Sequence, residues 1–328
     1  MEKEIKKLSS DLENERKKLE EKAEELKQRE DLAKDIGGEE LTLKVAGVDG
    51  GITRKNLQGI EIVVTRACLV SMEYREGKLQ EHRYFPDPDP EPTLDYYRPE
   101  RETKRPQLHR MEKEIETALN YIKKEPKIDI LLIDGSIVPN PSDKPKEDSK
   151  EKEKYLGVKD KYEELFERVL EQGIQLVGAI EDSKSRKISR KTGVNSLDNL
   201  LLHQVLEEGQ RTTEFNYSDE PGNHPVLSDF SAEKRNKIKA MYIKPVKEDT
   251  PLRLEYLEGR MNPDKIASYL ESISKISRNY SYPVPLIEAD LHAKLTEKQK
   301  DLITQQIRNQ VGELPSLKEK RRNQRLFK

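Results

Sequence analysis

The fold prediction begins with the stretch LLIDGS at residues 131–136. It is a short apolar run that ends in an acid, a glycine and a serine, which is typical of a buried strand that delivers one aspartate to a sheet edge. The earlier stretch VAGVDGG at residues 45–51 has the same form, with glycine for a tight turn after Asp49. If these strands are neighbours, Asp49 and Asp134 meet. Two adjacent carboxylates repel unless a cation lies between them, and their hard oxygens suit Mg²⁺ or Mn²⁺.

Composition describes a highly charged chain without an obvious partner. Of 328 residues, 38% are charged and 5% aromatic, and the net charge of −2 means that any nucleic-acid site must be a local basic patch. Cys68 is the single cysteine, which excludes an internal disulfide and a cysteine-rich zinc site and predicts a small core residue in a reducing cytoplasm. No apolar run reaches the roughly 18 residues of a membrane helix, so no membrane association is expected. There is no Walker phosphate-binding loop.

The first 38 residues predict a helical arm ahead of the main domain. Residues 1–35 are nearly all Glu, Lys, Leu, Asp and Arg, with a narrow apolar stripe at roughly helical spacing that predicts a long helix or a short coiled coil. Two interpretations stay open: a solvated helix packed on the body, or a docking or dimerisation arm. The Ile-Gly-Gly sequence at 36–38 is predicted to end it.

The main domain, residues 43–312, is predicted to begin with an antiparallel meander. Residues 43–49 give the first strand, the β-branched run at 59–74 gives the second, and a third runs through Tyr84 and Phe85. The sequence REGK at 75–78 predicts a hairpin turn.

A helix is predicted from Leu108 to Lys124, just before the LLIDGS strand. At about 100° per residue it has one apolar face. The residues assigned to that face are Leu108, Met111, Ile115, Leu119 and Ile122. Glu112 lies on the flank of the face, whereas Glu114 and Glu116 point further out. Glu112 is therefore the preferred partner for Asp134, against the alternative of an ordinary solvated glutamate.

Three segments are predicted to be insertions without regular structure. They are a proline-rich loop near 86–106, a Lys/Glu-rich mobile stretch near 139–160 and a polar segment near 208–234. The later elements predicted around them are helices at 162–171, 195–207, 263–277 and 296–311 and strands at 173–180, 239–246 and 252–256. Asn262 and Pro263 form a predicted helix start. A basic tail follows at 313–328, as a frayed end or a nucleic-acid or partner contact.

The order of these elements resembles the ribonuclease-H-like fold of many nucleases, an α/β fold with a mixed sheet flanked by helices. Within that fold, the details resemble the NurA nuclease family of archaea and bacteria over about residues 45–295. The matching pieces are VDG at 48–50, RME at 110–112, LIDGSI at 132–137, VG at 177–178 leading to DS at 182–183, and YP at 282–283 leading to AD at 289–290.

The resemblance implies a metal-dependent 5′-to-3′ DNA nuclease, usually with Mn²⁺ and otherwise Mg²⁺. It implies endonuclease activity on single strands and exonuclease activity on single-stranded and duplex DNA ends. It further implies a homodimer that docks on a HerA-type hexameric DNA translocase, an ATPase, and resects broken ends for double-strand-break repair with the Mre11–Rad50 machinery. The expected location is the cytoplasm, in association with the nucleoid.

Site residues follow from the resemblance motif by motif. The implied metal ligands are Asp49, Glu112, Asp134 and Asp290. Glu114 and Glu116 stay open as alternatives to Glu112. Tyr282 matches a tyrosine proposed to lie in the site, where it would stack on a base or position the terminal nucleotide.

The turn after the strand at 173–180 carries the predicted phosphate contacts. Glu181 stands where the family often has Lys, so Lys184 and Arg186 are the predicted DNA-binding residues, with a solvated basic turn as the alternative. His292 lies about 200° from Asp290 on a helix and is predicted to be a surface or supporting residue.

The predicted chemistry is two-metal phosphodiester hydrolysis, with two ions about 4 Å apart between the four carboxylates. One ion would activate the attacking water and the other would stabilise the leaving oxygen. Two alternatives stay open: a junction or RNA–DNA hybrid nuclease of the same fold, and a non-catalytic scaffold that regulates a DNA motor.

Overall fold

The strands and helices follow the apolar pattern of the chain. The computed structural model describes residues 1–29, 31–87, 90–98, 103–125, 127–312 and 314–320. Its strands are β1 (Ala33–Asp35), β2 (Leu43–Asn56), β3 (Glu61–Arg75), β4 (Lys78–Phe85), β5 (Thr93–Tyr97), β6 (Ile130–Asp134), β7 (Gln175–Ile180), β8 (Gln210–Thr212), β9 (Phe215–Asn216), β10 (Ile238–Lys244), β11 (Leu252–Leu257), β12 (Lys275–Ser277) and β13 (Tyr280–Ser281). Its α-helices are α1 (Glu2–Lys27), α2 (Arg105–Lys124), α3 (Lys152–Gln172), α4 (Lys187–Lys191), α5 (Asp198–Val205), α6 (Ala232–Arg235), α7 (Pro263–Ser274), α8 (Val284–Ala293) and α9 (Glu297–Val311).

Among the described residues, eleven strands form one mixed sheet. Its order is β1-β8-β10-β11-β7-β6-β2-β3-β4, with β5 beside β3 and β9 beside β10. The three central strands β2, β6 and β7 are parallel, and the strands outside them pair antiparallel. The predicted α/β fold with a mixed sheet and flanking helices is therefore confirmed.

Both faces of the central strands are covered by helices. Successive side chains of a strand point to opposite faces, so a strand buried on both sides is a continuous apolar run, as in residues 130–133. On one face Val48 and Ile133 pack in a core with residues of α2 and α3. On the other face Val45 and Leu132 pack in a core with residues of α7 and α8. Cys68 is fully buried in the second core, as predicted.

The N-terminal arm is shorter than predicted. Helix α1 ends at Lys27, and the following segment adds strand β1 to the sheet edge beside β8. Only its last turns pack on the body: Ala23 and Leu26 are buried against residues of α5, while Leu8 and Leu12 are 60% and 55% exposed. The strand was missed because three residues at a sheet edge carry no periodic signal.

The predicted loop at 86–106 contains a strand and a helix start. Strand β5 pairs antiparallel with β3, and α2 begins at Arg105 with Pro106 in its first turn, where proline needs no N–H partner. Pro88 and Pro99 lie outside the described residues.

The two polar segments are also more ordered than predicted. Helix α3 begins at Lys152, inside the predicted mobile insertion, and its Tyr155 and Val158 are buried in the core. The segment before it is tied down by Lys144, whose ammonium lies 2.6 Å from Asp229. The predicted irregular segment at 208–234 contributes β8, β9 and α6. Composition alone failed here because short elements are stabilised by neighbours that are distant in sequence.

Several local predictions are confirmed. The turn at residues 75–78 joins β3 to β4, with Glu76 and Gly77 in the left-handed region. Asn262 caps α7 by accepting the Lys265 N–H at 2.9 Å. Residues 321–328 of the predicted basic tail lie outside the described part of the chain. No helix in the described ranges is long and apolar enough to cross a membrane.

Candidate active site

Asp49 and Asp134 lie at equivalent positions of two adjacent parallel strands. In β2 and β6, Val48 pairs with Ile133, and the next residue in each strand is an aspartate. Because side chains alternate along a strand, both acids belong to the face that packs under α8. Gly135 then takes a φ of +96°, which glycine adopts without strain, and ends β6.

The glycines around Asp49 serve helix packing rather than a turn. Strand β2 continues to Asn56, so the predicted tight turn after Asp49 is wrong. A Cβ at Gly47 would lie 2.8 Å from the carbonyl carbon of Pro285, and one at Gly51 would lie 2.4 Å from the carbonyl oxygen of Ala293. The two glycines therefore let α8 approach β2 closely on the face that carries Asp49.

Helix α8 brings a third carboxylate and a lysine to this face. Asp290 is half-buried and forms an ion pair of 2.5 Å with Lys294. Its charge contributes to the raised pKa of Asp49. His292 lies on the other side of the helix, where its ring packs against that of Tyr84 with centroids 4.1 Å apart and planes tilted by 36°. Asp290 thus acts on Asp49 through its charge, whereas His292 packs against Tyr84.

Helix α2, which covers the opposite face of the sheet, buries Glu114 rather than Glu112, and Arg110 links Glu114 to Asp49. The Glu114 side chain is 2% exposed and forms an ion pair of 2.8 Å with Arg110, whose Nη1 lies 3.9 Å from Asp49 Oδ1. Glu112 faces away and pairs with Lys154 and His109. Glu116 pairs with Lys161 at 3.0 Å. The preference for Glu112 as the inward acid is therefore wrong, and the alternative Glu114 occupies that place.

Tyr282 belongs to the cluster in a different way from the one predicted. It is 5% exposed, so its ring is covered and does not offer a face to a base. Its hydroxyl donates to Asp134 Oδ1 and lies 3.0 Å from the carbonyl oxygen of Ala179. Tyr282 therefore orients the Asp134 carboxylate.

The electrostatics show a cluster with too much negative charge. Burial raises the pKa of Asp49 to about 9, and the charges of Glu114 and Asp134 act in the same direction. Burial also raises the pKa of Glu114 to about 7, although Arg110 opposes the shift. Without an added cation, these two carboxyls hold protons well above their usual pH range.

Comparison with known proteins identifies the family. A family model described as the NurA domain matches residues 43–295, most of the chain. The chain belongs to the NurA family. Among solved structures, the NurA nuclease from Sulfolobus solfataricus matches with a TM-score of 0.63 and 16% identity, over 95% of this chain and 97% of that one. A NurA structure bound to dAMP and manganese matches with a TM-score of 0.58 and 12% identity, over 97% and 98% of the two chains.

These matches bear on the fold and the enzyme class. At such low identities the structural likeness shows the fold, and no curated protein matches the sequence. Membership of the NurA family agrees with the prediction of a metal-dependent nuclease. A manganese-bound NurA structure agrees with the prediction of a divalent metal cofactor.

The donor set suits a hard divalent cation. Asp49, Asp134, Glu114 and Asp290 offer carboxylate oxygens, the ligands preferred by Mn²⁺ and Mg²⁺. Among the described residues, no group of three or more Asp, Glu, His or Cys side chains is already arranged to hold a metal ion. Instead, Arg110, Lys294 and Tyr282 are the partners of Glu114, Asp290 and Asp134. Three of the four carboxylates are therefore each held by another side chain of the protein.

The predicted DNA-binding turn is anchored to the protein by Asp198. Of the predicted phosphate contacts, Lys184 is exposed, whereas Arg186 binds Asn195 Oδ1 at 2.9 Å. The groups that donate to Asp198 are Ser185 Oγ, Lys187 N, Ser189 N, Ser189 Oγ and Tyr242 Oη, at 2.7 to 3.2 Å. Asp198 thus accepts hydrogen bonds from both Ser185 and Ser189 of this turn. No sequence signal had marked Asp198, because its donors come from two segments, residues 185–189 and Tyr242 of β10.

Proposed function

We propose that this chain cleaves DNA with divalent metal ions held by Asp49, Asp134, Glu114 and Asp290. The observation that carries the proposal is the buried Asp49 carboxyl, which follows the same paired position in β2 as Asp134 follows in β6, in a NurA-family fold. Burial and the charges of Glu114, Asp134 and Asp290 raise the pKa of Asp49. A buried acid among acids is costly unless a cation neutralises it. Mn²⁺ is the preferred ion, since manganese is bound in a NurA structure.

Each protein group has a separate task in this proposal. When bound, the metal ions supply an activated water and stabilise the leaving oxygen of the phosphodiester. Asp49 and Asp134 hold them from neighbouring strands, with Asp290 from α8 and Glu114 from α2. The Tyr282 hydroxyl fixes the orientation of Asp134. Arg110 holds Glu114 in place and limits the repulsion between Glu114 and Asp49.

The finer activity rests on the family resemblance. We infer two metal ions, 5′-to-3′ polarity, action on single strands and on duplex ends, a homodimer, and association with a HerA-type translocase in end resection with Mre11–Rad50. A DNA substrate is supported by the nucleotide dAMP in a manganese-bound NurA structure.

The test uses linear DNA labelled at the 5′ or the 3′ end. Wild-type protein and Asp134→Asn are incubated with Mn²⁺, Mg²⁺ or EDTA. Metal-dependent loss of label with wild type alone supports the nuclease, and the label released first gives the polarity. Absence of digestion with either metal, even after addition of the translocase, would overturn the proposal and favour the scaffold.

A further inference from the structure

Lys294 places a mobile positive charge at the exposed side of the carboxylate cluster. It is the C-cap residue of α8, its side chain is 67% exposed, and its ammonium lies 2.5 Å from Asp290 Oδ2. The hydrogen bond to Asp290 raises the pKa of Lys294, and the charges of Asp49 and Asp134 act in the same direction. The ammonium contacts Asp290 directly, and the negative charges of Asp49 and Asp134 favour its charged form.

The backbone of Lys294 is held at both its amide and its carbonyl. Its amide donates to the carbonyl of Asp290 at 3.0 Å, and its own carbonyl accepts from Arg66 Nη2 at 2.7 Å. Gly51 leaves the space that this chain segment occupies, because a Cβ there would lie 3.3 Å from the Lys294 nitrogen. Strands β2 and β3 thus fix the position from which the long, flexible side chain reaches the cluster.

We propose that Lys294 contacts a phosphate of the DNA substrate at this site. The inference rests on the proposed function. A divalent ion held by Asp290 would neutralise much of the carboxylate charge, and this would weaken the ion pair between Asp290 Oδ2 and the Lys294 ammonium. The ammonium then has a phosphate oxygen beside it as the next anion, at a distance that its four-carbon stem can adjust. Lys294 thus exchanges one anion for another between the metal-free and the substrate-bound states.

An ordinary role for Lys294 is the stabilisation of the α8 C-terminus, where a cation is favourable. That role predicts a small loss of stability and no specific effect on DNA. A matched control exists at Lys237, whose ammonium forms a 3.0 Å ion pair with Glu233 at the same four-residue spacing. Lys237 precedes Ile238, which pairs with Leu257 at the end of the sheet opposite to Asp134.

The experiment compares Lys294→Gln, Lys294→Arg and Lys237→Gln with wild type. First, KM and kcat for a short single-stranded oligonucleotide are measured with Mn²⁺ at several NaCl concentrations. We expect Lys294→Gln to raise KM about tenfold, as loss of one charged contact does. KM should also depend less steeply on NaCl, by the amount expected for the loss of about one phosphate contact. Lys294→Arg keeps the charge and should restore most of the affinity.

The second readout is Mn²⁺ binding by calorimetry without DNA. Lys294→Gln should bind Mn²⁺ as tightly as wild type or more tightly, because the ammonium no longer competes for Asp290. If wild type is active but Lys294→Gln has the same KM and salt dependence as Lys237→Gln, the proposed role of Lys294 is overturned and the proposed function still stands. Weaker Mn²⁺ binding in parallel with lost activity would also overturn this role, since it would assign Lys294 to the support of Asp290. An inactive wild type would overturn the proposed function as well.

Discussion

Asp49 and Asp198 are both buried aspartates, and their surroundings are opposite. Asp198 is fully buried and receives five hydrogen bonds from hydroxyls and backbone N–H groups of the described chain. Burial would raise its pKa, but the hydrogen bonds from Ser189 and Ser185 outweigh burial and lower it. Asp49 is 4% exposed, accepts the Gly50 N–H at 2.6 Å, and has other acids as its neighbours.

This difference distinguishes an aspartate that stabilises the fold, Asp198, from one that is available to bind a metal ion, Asp49. Asp198 is ionised and satisfied by the fold, and it fixes the turn after β7. Asp49 keeps a proton because burial and the charges of Glu114 and Asp134 outweigh the opposing charge of Arg110. Position in the sequence does not distinguish the two acids, whereas the chemistry of the neighbouring atoms does.

The largest expected effect is on catalysis by Asp49→Asn. Asparagine preserves the shape but removes the negative charge, so we expect DNA cleavage with Mn²⁺ to fall by at least about 100-fold. The free energy of unfolding without metal should be unchanged or higher, because a buried, repelled acid is gone. Initial rates of digestion and urea unfolding measure the two quantities. A large loss of stability would instead make Asp49 a structural acid like Asp198.

The second effect separates two glutamates on one helix. Glu114→Gln should lower the rate about 10- to 100-fold, because a ligand oxygen loses its charge. Glu112→Gln is the matched control and should leave the rate within about twofold, since Glu112 pairs with Lys154 away from the cluster. Initial rates at saturating Mn²⁺ measure both variants. Equal losses of rate in the two variants would contradict the orientation of α2, which buries Glu114 and leaves Glu112 away from the cluster.

The third effect concerns the stability contributed by Asp198. Asp198→Asn turns an amide NH₂ toward donors, so we expect a loss of about 1–3 kcal/mol in the free energy of unfolding. Urea denaturation measures it, and Mn²⁺ affinity below the transition should be retained. A stable variant that no longer binds Mn²⁺ would contradict the assignment of the two acids.

The last effect is in the pH dependence of stability. The raised pKa values of Asp49 and Glu114, about 9 and about 7, mean that the metal-free fold binds protons more tightly than the unfolded chain. Metal-free stability should therefore fall as pH rises from about 5 to 9. The lowered pKa of Asp198 acts oppositely: its contribution is present above the usual carboxyl pKa and is lost as pH falls below about 4.

Thermal melting from pH 3 to pH 9 tests the loss of stability at low pH and at high pH. Asp49→Asn should reduce the loss of stability between pH 5 and 9, the alkaline branch, and excess Mn²⁺ should do the same in wild type. An alkaline branch unchanged in Asp49→Asn would show that the cluster does not control it.

The sequence predicted the central strands because buried parallel strands are continuous apolar runs. Residues 130–133 and 175–180 have this pattern, and the acid after the first run led directly to Asp134. The pairing partners of short, polar strands such as β1 and β8 could not be predicted, since their stability comes from neighbours far along the chain.

The error at Glu112 has a specific cause. The predicted apolar face of α2 omitted Ala118 and Tyr121, which are buried. At about 100° per residue, Glu114 lies between these two on the helix surface, whereas Glu112 lies beyond the opposite edge of the face. Small and amphipathic residues therefore carried the missing signal. Lys294 had no such signal, because its role depends on the contact of α8 with β2.

The most direct test of the carboxylate cluster is a calorimetric Mn²⁺ titration of wild type, Asp49→Asn and Glu112→Gln at pH 8. It is repeated in two buffers that differ in ionisation enthalpy. We expect wild type and Glu112→Gln to bind Mn²⁺ saturably and to release protons, because Mn²⁺ displaces the proton of Asp49. Asp49→Asn should lose this binding. Failure of wild type to bind Mn²⁺, or unchanged binding by Asp49→Asn, would contradict this account.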